Sequence, residues 1–136
     1  MKIIFSFCVC IFFLHLKTVA QVYKFTSDKE GIVKIHSTDI QYMKKDVLIT
    51  IDINKKKINL VTGQQKKAFK ILSTDSTLLD NEGGKLLKYQ CIDNVGSSHN
   101  IVFIIYSNTL QKMMGVAGTL AVSYSSETYS YELYKE

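Results

Sequence analysis

Asp46-Val47-Leu48-Ile49-Thr50-Ile51-Asp52-Ile53-Asn54 decides the fold. Val47, Ile49, Ile51 and Ile53 fall on one face of an extended chain, and Leu48, Thr50 and Asp52 on the other. Successive side chains of a strand point to opposite faces, so this strict alternation of β-branched residues marks a half-buried strand. Asn54-Lys55-Lys56 reads as a tight turn, because Asn tolerates positive φ. Lys57–Thr62 then returns as the second arm of a hairpin.

The same signals repeat on both sides. Gly63, Gln64 and Gln65 mark the next turn, and Lys67–Thr74 follows with Phe69 and Ile71 on one face. Asp75 to Gly84 is polar and ends in the breaker cluster Asn81-Glu82-Gly83-Gly84. Lys85–Asp93 alternates Leu87, Tyr89 and Cys91 against Lys88, Gln90 and Ile92. A turn at Asn94–Ser98 leads to His99–Tyr106, which is apolar on both faces from Ile101 to Ile105 and reads as a central strand covered on both sides. Thr119–Tyr124 and Thr128–Tyr134 form a last hairpin around Ser125-Ser126-Glu127. Upstream, Val22–Thr26 and Ile32–Ser37 flank Ser27-Asp28-Lys29-Glu30-Gly31, again a hairpin pattern. Ser107–Gly118 admits one helical turn around Leu110–Met114 or a loop ending at Gly115 and Gly118.

Eight or nine short strands with turns between them predict an all-β, single-domain antiparallel meander over 21–136. It closes as a small lipocalin-like barrel or, alternatively, packs as a two-layer sandwich. The chain contains no Pro, which suits strands that keep every ladder donor.

Residues 1–20 read differently. Lys2 is followed by the apolar run Ile3–Leu14 and by the small residues Thr18-Val19-Ala20 before Gln21. This is the pattern of a secretory signal peptide. The 12-residue run is shorter than the ~17–25 residues that a membrane span needs, so no transmembrane span is expected in the mature chain. The expectation is an exported protein, periplasmic or secreted. Loss of Lys2 and Lys17 with the leader would lower the net charge from +5 to +3. Cys8 and Cys10 would go too, leaving Cys91 without an intrachain disulfide partner.

All 17 positive charges are Lys; there is no Arg, hence no guanidinium fork for phosphate or guanine. Lysines cluster at Lys44-Lys45, Lys55-Lys56-Lys57 and Lys66-Lys67, either as contacts for an anionic surface or as solubilising guards at strand ends. Along the chain Tyr and Lys are segregated, which argues against a nucleic-acid partner.

The stretch Cys91-Ile92-Asp93-Asn94-Val95-Gly96-Ser97-Ser98-His99 resembles a hairpin of small secreted bacterial β-proteins. There, a Cys, an Asp two residues on and a turn Gly precede a second Cys eight positions after the first. Leu120–Tyr124 followed by Tyr129–Leu133 also resembles their closing strands. The resemblance implies a β fold and export, and it brings no function to carry over. His99 stands where the second Cys would be, so the hairpin disulfide is absent.

Cys91 and His99 are the sharpest catalytic candidates. If the turn centres on Val95-Gly96, Cys91 pairs near Asn100 and His99 near Ile92, and the two side chains can then point oppositely. A nucleophile would also need an orienting group and an oxyanion hole, and zinc would need more ligands than His36 supplies. The simpler reading is a buried Cys and an exposed turn His. No carboxylate pair, phosphate loop, zinc helix or serine elbow is present. No catalytic residue, metal site or cofactor is therefore assigned, and an enzyme is not expected.

Tyr124, Tyr129, Tyr131 and Tyr134 gather in the last hairpin, with Tyr129 and Tyr131 on one face. A tyrosine ring with a polar tip suits a sugar face or a protein partner, and equally suits cross-strand pairing. Met113 and Met114 sit where an apolar lip over a barrel mouth, or a plug, would lie. The ligand-binding candidates are thus Tyr124, Tyr129, Tyr131, Met113 and Met114. The expected role is a non-catalytic binding module for a small apolar ligand, a glycan or an envelope protein. The alternative is a structural or envelope-interaction protein.

Overall fold

The computed structural model describes residues 21–136. The signal-peptide reading falls on residues 1–20 and lies outside the described residues. Eight antiparallel strands follow one another around a closed barrel: β1 (Val22–Lys34), β2 (Gln41–Asp52), β3 (Lys57–Thr62), β4 (Gln65–Leu78), β5 (Lys85–Asp93), β6 (Ser98–Ile105), β7 (Gly118–Ser123) and β8 (Glu127–Lys135). β8 pairs back onto β1, from Phe25 opposite Lys135 to Lys34 opposite Glu127, which closes the ladder. The architecture is the barrel rather than the sandwich.

The alternation read in the sequence sets the inside and outside of the wall. Val47, Ile49 and Ile51 of β2 point inward with Ile58 and Leu60 of β3, Phe69 and Ile71 of β4, and Tyr89 and Cys91 of β5. Ile101 and Phe103 of β6, Leu120 and Val122 of β7, and Tyr131 and Leu133 of β8 complete the lining. These side chains fill the interior as one cluster. Truncating a fully buried Ile51 or Phe103 to Ala would cost ~2–5 kcal/mol through lost transfer energy and the cavity left behind. Val102 and Ile104 of β6 are half-buried on the outer side. The barrel thus covers one face of that strand, where the sequence suggested two.

Three boundaries differ from the sequence reading, each for a physical reason. The first predicted hairpin, Val22–Ser37, is the single strand β1 with a bulge between Ser27 and Lys29. Gly31 serves close packing and not a turn: a Cβ there would lie 2.5 Å from Ser130 Oγ and 3.1 Å from Tyr42 Cε1. The real turn comes after Lys34 and holds His36 at φ 65°. β4 runs on to Leu78, because Asp75–Leu78, although the first three are polar, keep their ladder to Lys85–Lys88 of β5. In the β2–β3 turn the positive φ, 51°, falls on Lys56 and not on Asn54.

Ser107–Gly118 is a short helix, α1 (Asn108–Met114). Ser107 caps it, its Oγ accepting from the Leu110 N–H at 3.4 Å, and Gly115 ends it in the left-handed conformation. α1 buries none of its residues. Among the described residues, no helix is long and apolar enough to cross a membrane.

Candidate functional site

The site grows from the β5–β6 turn. Asp93 Oδ1 accepts the backbone N–H groups of Val95 (3.0 Å) and Ser97 (2.9 Å), while Gly96 takes φ 86°. An Asx-type turn of this kind fixes the carboxylate as well as the chain. Its other oxygen, Oδ2, lies 2.8 Å from His99 Nε2. The hydrogen bond from His99 holds the Asp93 carboxyl below the usual carboxylate range, helped by the two turn N–H groups and opposed by burial. His99 Nδ1 lies 3.3 Å from the Ser123 carbonyl on β7. A carbonyl and a carboxylate both only accept, so each ring nitrogen faces an acceptor, and the imidazole ties β5, β6 and β7 together.

Aromatic rings continue from His99. Phe69 meets it edge-on at 5.4 Å between centroids, Tyr124 meets it at 4.7 Å, and Tyr129 follows Tyr124 at 5.2 Å. Lys67 reaches across from β4, with Nζ 5.3 Å from the Tyr124 centroid and 4.9 Å from that of Tyr129. An ammonium over two ring faces is held by their quadrupoles. The Tyr129 hydroxyl donates to Glu127 Oε1 at 2.6 Å, and this bond, with burial, pushes the phenol up to about 12. Beside this stack a surface cleft of about 250 Å³ opens between Lys66, Lys67, Phe69, Asp93, Val95 and Tyr124. A second cleft, of about 380 Å³, adjoins it across Ala68, Phe69, Asp93 and Asn94.

Of the residues singled out in the sequence, Tyr124 and Tyr129 come together here, half-buried. Tyr131 does not join them. It is 3% exposed inside the barrel, and its hydroxyl donates to the buried Glu30 Oε2 at 2.6 Å. Burial, and then Glu30, drive the Tyr131 phenol far above its ordinary value. Glu30 also takes Lys45 Nζ at 3.0 Å, so one member of the Lys44-Lys45 pair turns toward the barrel interior. Its ring thus lies inside the wall, apart from Tyr124 and Tyr129. Met113 and Met114 stand exposed on α1. Neither lines any of four surface clefts. The largest of these four, about 530 Å³, lies elsewhere on the wall between Thr26, Leu48, Val61 and Tyr134, flanked by Asp28 and Asp46.

Cys91 and His99 are direct ladder partners, not offset by one as the sequence suggested, and both are buried. The β5–β6 pairing runs one residue tighter around the Asp93 turn than the assumed centre, which puts the two side chains on the inner face. His99 is therefore no exposed turn residue. Its nitrogens are held by Asp93 and Ser123, leaving no base for Cys91, whose thiol burial pushes up to about 11. Among the described residues, no three His, Cys, Asp or Glu side chains converge as a metal site.

Sequence reasoning missed Lys67 and Asp93. The Asp-x-x-Gly spacing flagged the turn but not the imidazole it would hold. The segregation of Tyr and Lys along the chain disappears once β4 and the β7–β8 hairpin meet at the barrel mouth. No protein-family model, no curated protein and no solved structure matches this chain.

Proposed function

We propose that the protein is an exported, non-catalytic binding module that takes a glycan at the barrel mouth beside Tyr124. The observation carrying this reading is the Lys67–Tyr124–Tyr129 stack bordering the 250 Å³ cleft. A half-buried aromatic ring gives a pyranose an apolar face to lie on, and the lysines beside it offer donors to its hydroxyls. The filled interior favours this version over a small apolar ligand held inside the barrel, since Phe69, Phe103, Leu120 and Leu133 occupy that space. Calorimetric titration across a panel of neutral and charged oligosaccharides tests it. Binding weakened tenfold or more by Tyr124→Ala supports the reading; no binding, or binding indifferent to Tyr124, ends it.

A second reading, contact with an envelope protein, is favoured by a different feature. Ile35, Ile40, Tyr42 and Met43 are all exposed around the β1–β2 loop as an apolar cluster. Crosslinking through this loop would test that reading, and a strictly monomeric chain with no product would remove it.

A further inference from the structure

The stagger of strands in a closed barrel brings the β2–β3 turn alongside the β5–β6 turn. Lys57 of β3 stands directly opposite Lys70 of β4, and Lys70 directly opposite Ile92 of β5. Lys57 and Lys70 alternate with the inward Ile58, Phe69 and Ile71, so they share the outer face. Like charges at directly opposed positions repel and weaken a ladder. Lys55 and Lys56 in the adjoining turn add to the same field, and all four lysines are exposed. Nearby acids do not relieve it: Asp52 Oδ1 accepts the Lys55 backbone N–H, and Asp93 is engaged by His99 and its own turn. Among the described residues, none of the four lysines makes an ion pair. They rim the 380 Å³ cleft, which runs into the Tyr124 cleft through Phe69 and Asn94.

We propose that this cleft seats the sulfate or carboxylate groups of an anionic glycan whose sugar ring lies on Tyr124. The inference rests on the glycan reading of the mouth and names the charge of its ligand. An oxyanion between Lys57 and Lys70 would turn a repulsive pair into a shared counter-ion site. Lysine suits this task, as a flexible point charge that needs no fixed fork geometry. A glycan fits better than nucleic acid, because a single ring platform beside the lysines serves one sugar and not a run of stacked bases.

The test uses dextran sulfate and uncharged dextran, which share a backbone, with the mature chain. Lys57→Gln/Lys70→Gln is compared with the charge-matched control Lys85→Gln/Lys112→Gln, which alters lysines of β5 and α1. The cleft variant is expected to keep or slightly raise its melting temperature, since it removes a repulsion, and to lose at least tenfold in affinity for dextran sulfate. The control is expected to lose less than twofold. Equal losses in both variants, or equal binding of dextran and dextran sulfate, would overturn the proposal. Tighter, Lys57- and Lys70-dependent binding of double-stranded DNA or of phosphatidylglycerol vesicles would also overturn it, by assigning the cleft to another class of anion. If dextran sulfate binding depends on Lys57 and Lys70 but not on Tyr124, the anion cleft stands and the sugar platform falls.

Discussion

Cys91 and His99 face each other as direct partners in the β5–β6 ladder, yet both imidazole nitrogens are held by other groups, Asp93 at 2.8 Å and the Ser123 carbonyl at 3.3 Å. Proximity in the fold is not chemical coupling. A thiol pushed up to about 11 by burial carries roughly one thiolate in ten thousand at neutral pH. Cys91 is therefore expected to resist Ellman's reagent in native buffer and to react at the rate of unfolding. Rapid stoichiometric labelling of the folded chain would contradict this account.

Tyr131 donates to the buried Glu30, which Lys45 also contacts. Tyr131→Phe keeps the ring and removes the donor, leaving a carboxylate with one partner fewer in the interior. Hydrogen bonds to charged groups contribute ~1.5–3 kcal/mol. Urea unfolding should show a loss of that order with an unchanged m-value. A change below ~0.5 kcal/mol would mean that Glu30 finds other hydration.

Two limbs of a pH–stability profile follow from the shifted groups. The Asp93 carboxyl is held down in the folded state, so its contribution is complete above the unfolded value of ~3.9 and fades as pH falls through the folded one. Asp93→Asn should flatten this acid limb, read as melting temperature against pH. At the alkaline end, burial pushes the Tyr89 phenol up to about 12. The folded state keeps that proton after the unfolded chain has released it, so stability falls as pH rises from ~10 through 12. Tyrosinate absorbance should then show buried phenols titrating only as the barrel opens.

Gly118 opens β7 where a Cβ would run into the Ile104 carbonyl of β6. Backbone cannot swing aside as a side chain can. Gly118→Ala should cost ~1–3 kcal/mol or more, whereas Gly31→Ala, which meets the side chains of Ser130, Ile40 and Tyr42 rather than backbone, should cost less. Chemical denaturation of the pair measures the order, and the reverse order would contradict the packing described.

The strand pattern was legible because it is local. Val47, Ile49 and Ile51 alternate whatever the rest of the chain does, and the limits of β3 and β5 agree with the residues read from sequence. Gly31 was misread because a glycine chosen for close approach to β8 looks the same in sequence as one chosen for a turn. At the candidate site, Tyr124 and Tyr129 were legible from their composition. Lys67 over those rings, Lys57 against Lys70, and His99 against Cys91 depend on ladder register, which two distant strands define only jointly.

The bulge at Ser27–Lys29 carries a consequence for the sign of charge inside the wall. Phe25 and Ser27 face inward, and the register shift against both neighbouring strands breaks the alternation, so that Glu30, not Lys29, is the next to do so. Lys29 stays outside, where it pairs with Glu132 at 2.9 Å. Unbroken alternation through this segment, with every residue kept, would instead turn Lys29 inward, an ammonium toward Lys45 and the Tyr131 hydroxyl. That hydroxyl would then have no anion to receive it, and two like charges would meet where an acid now joins phenol and amine. One break in the alternation of β1 thus selects which ion the barrel encloses.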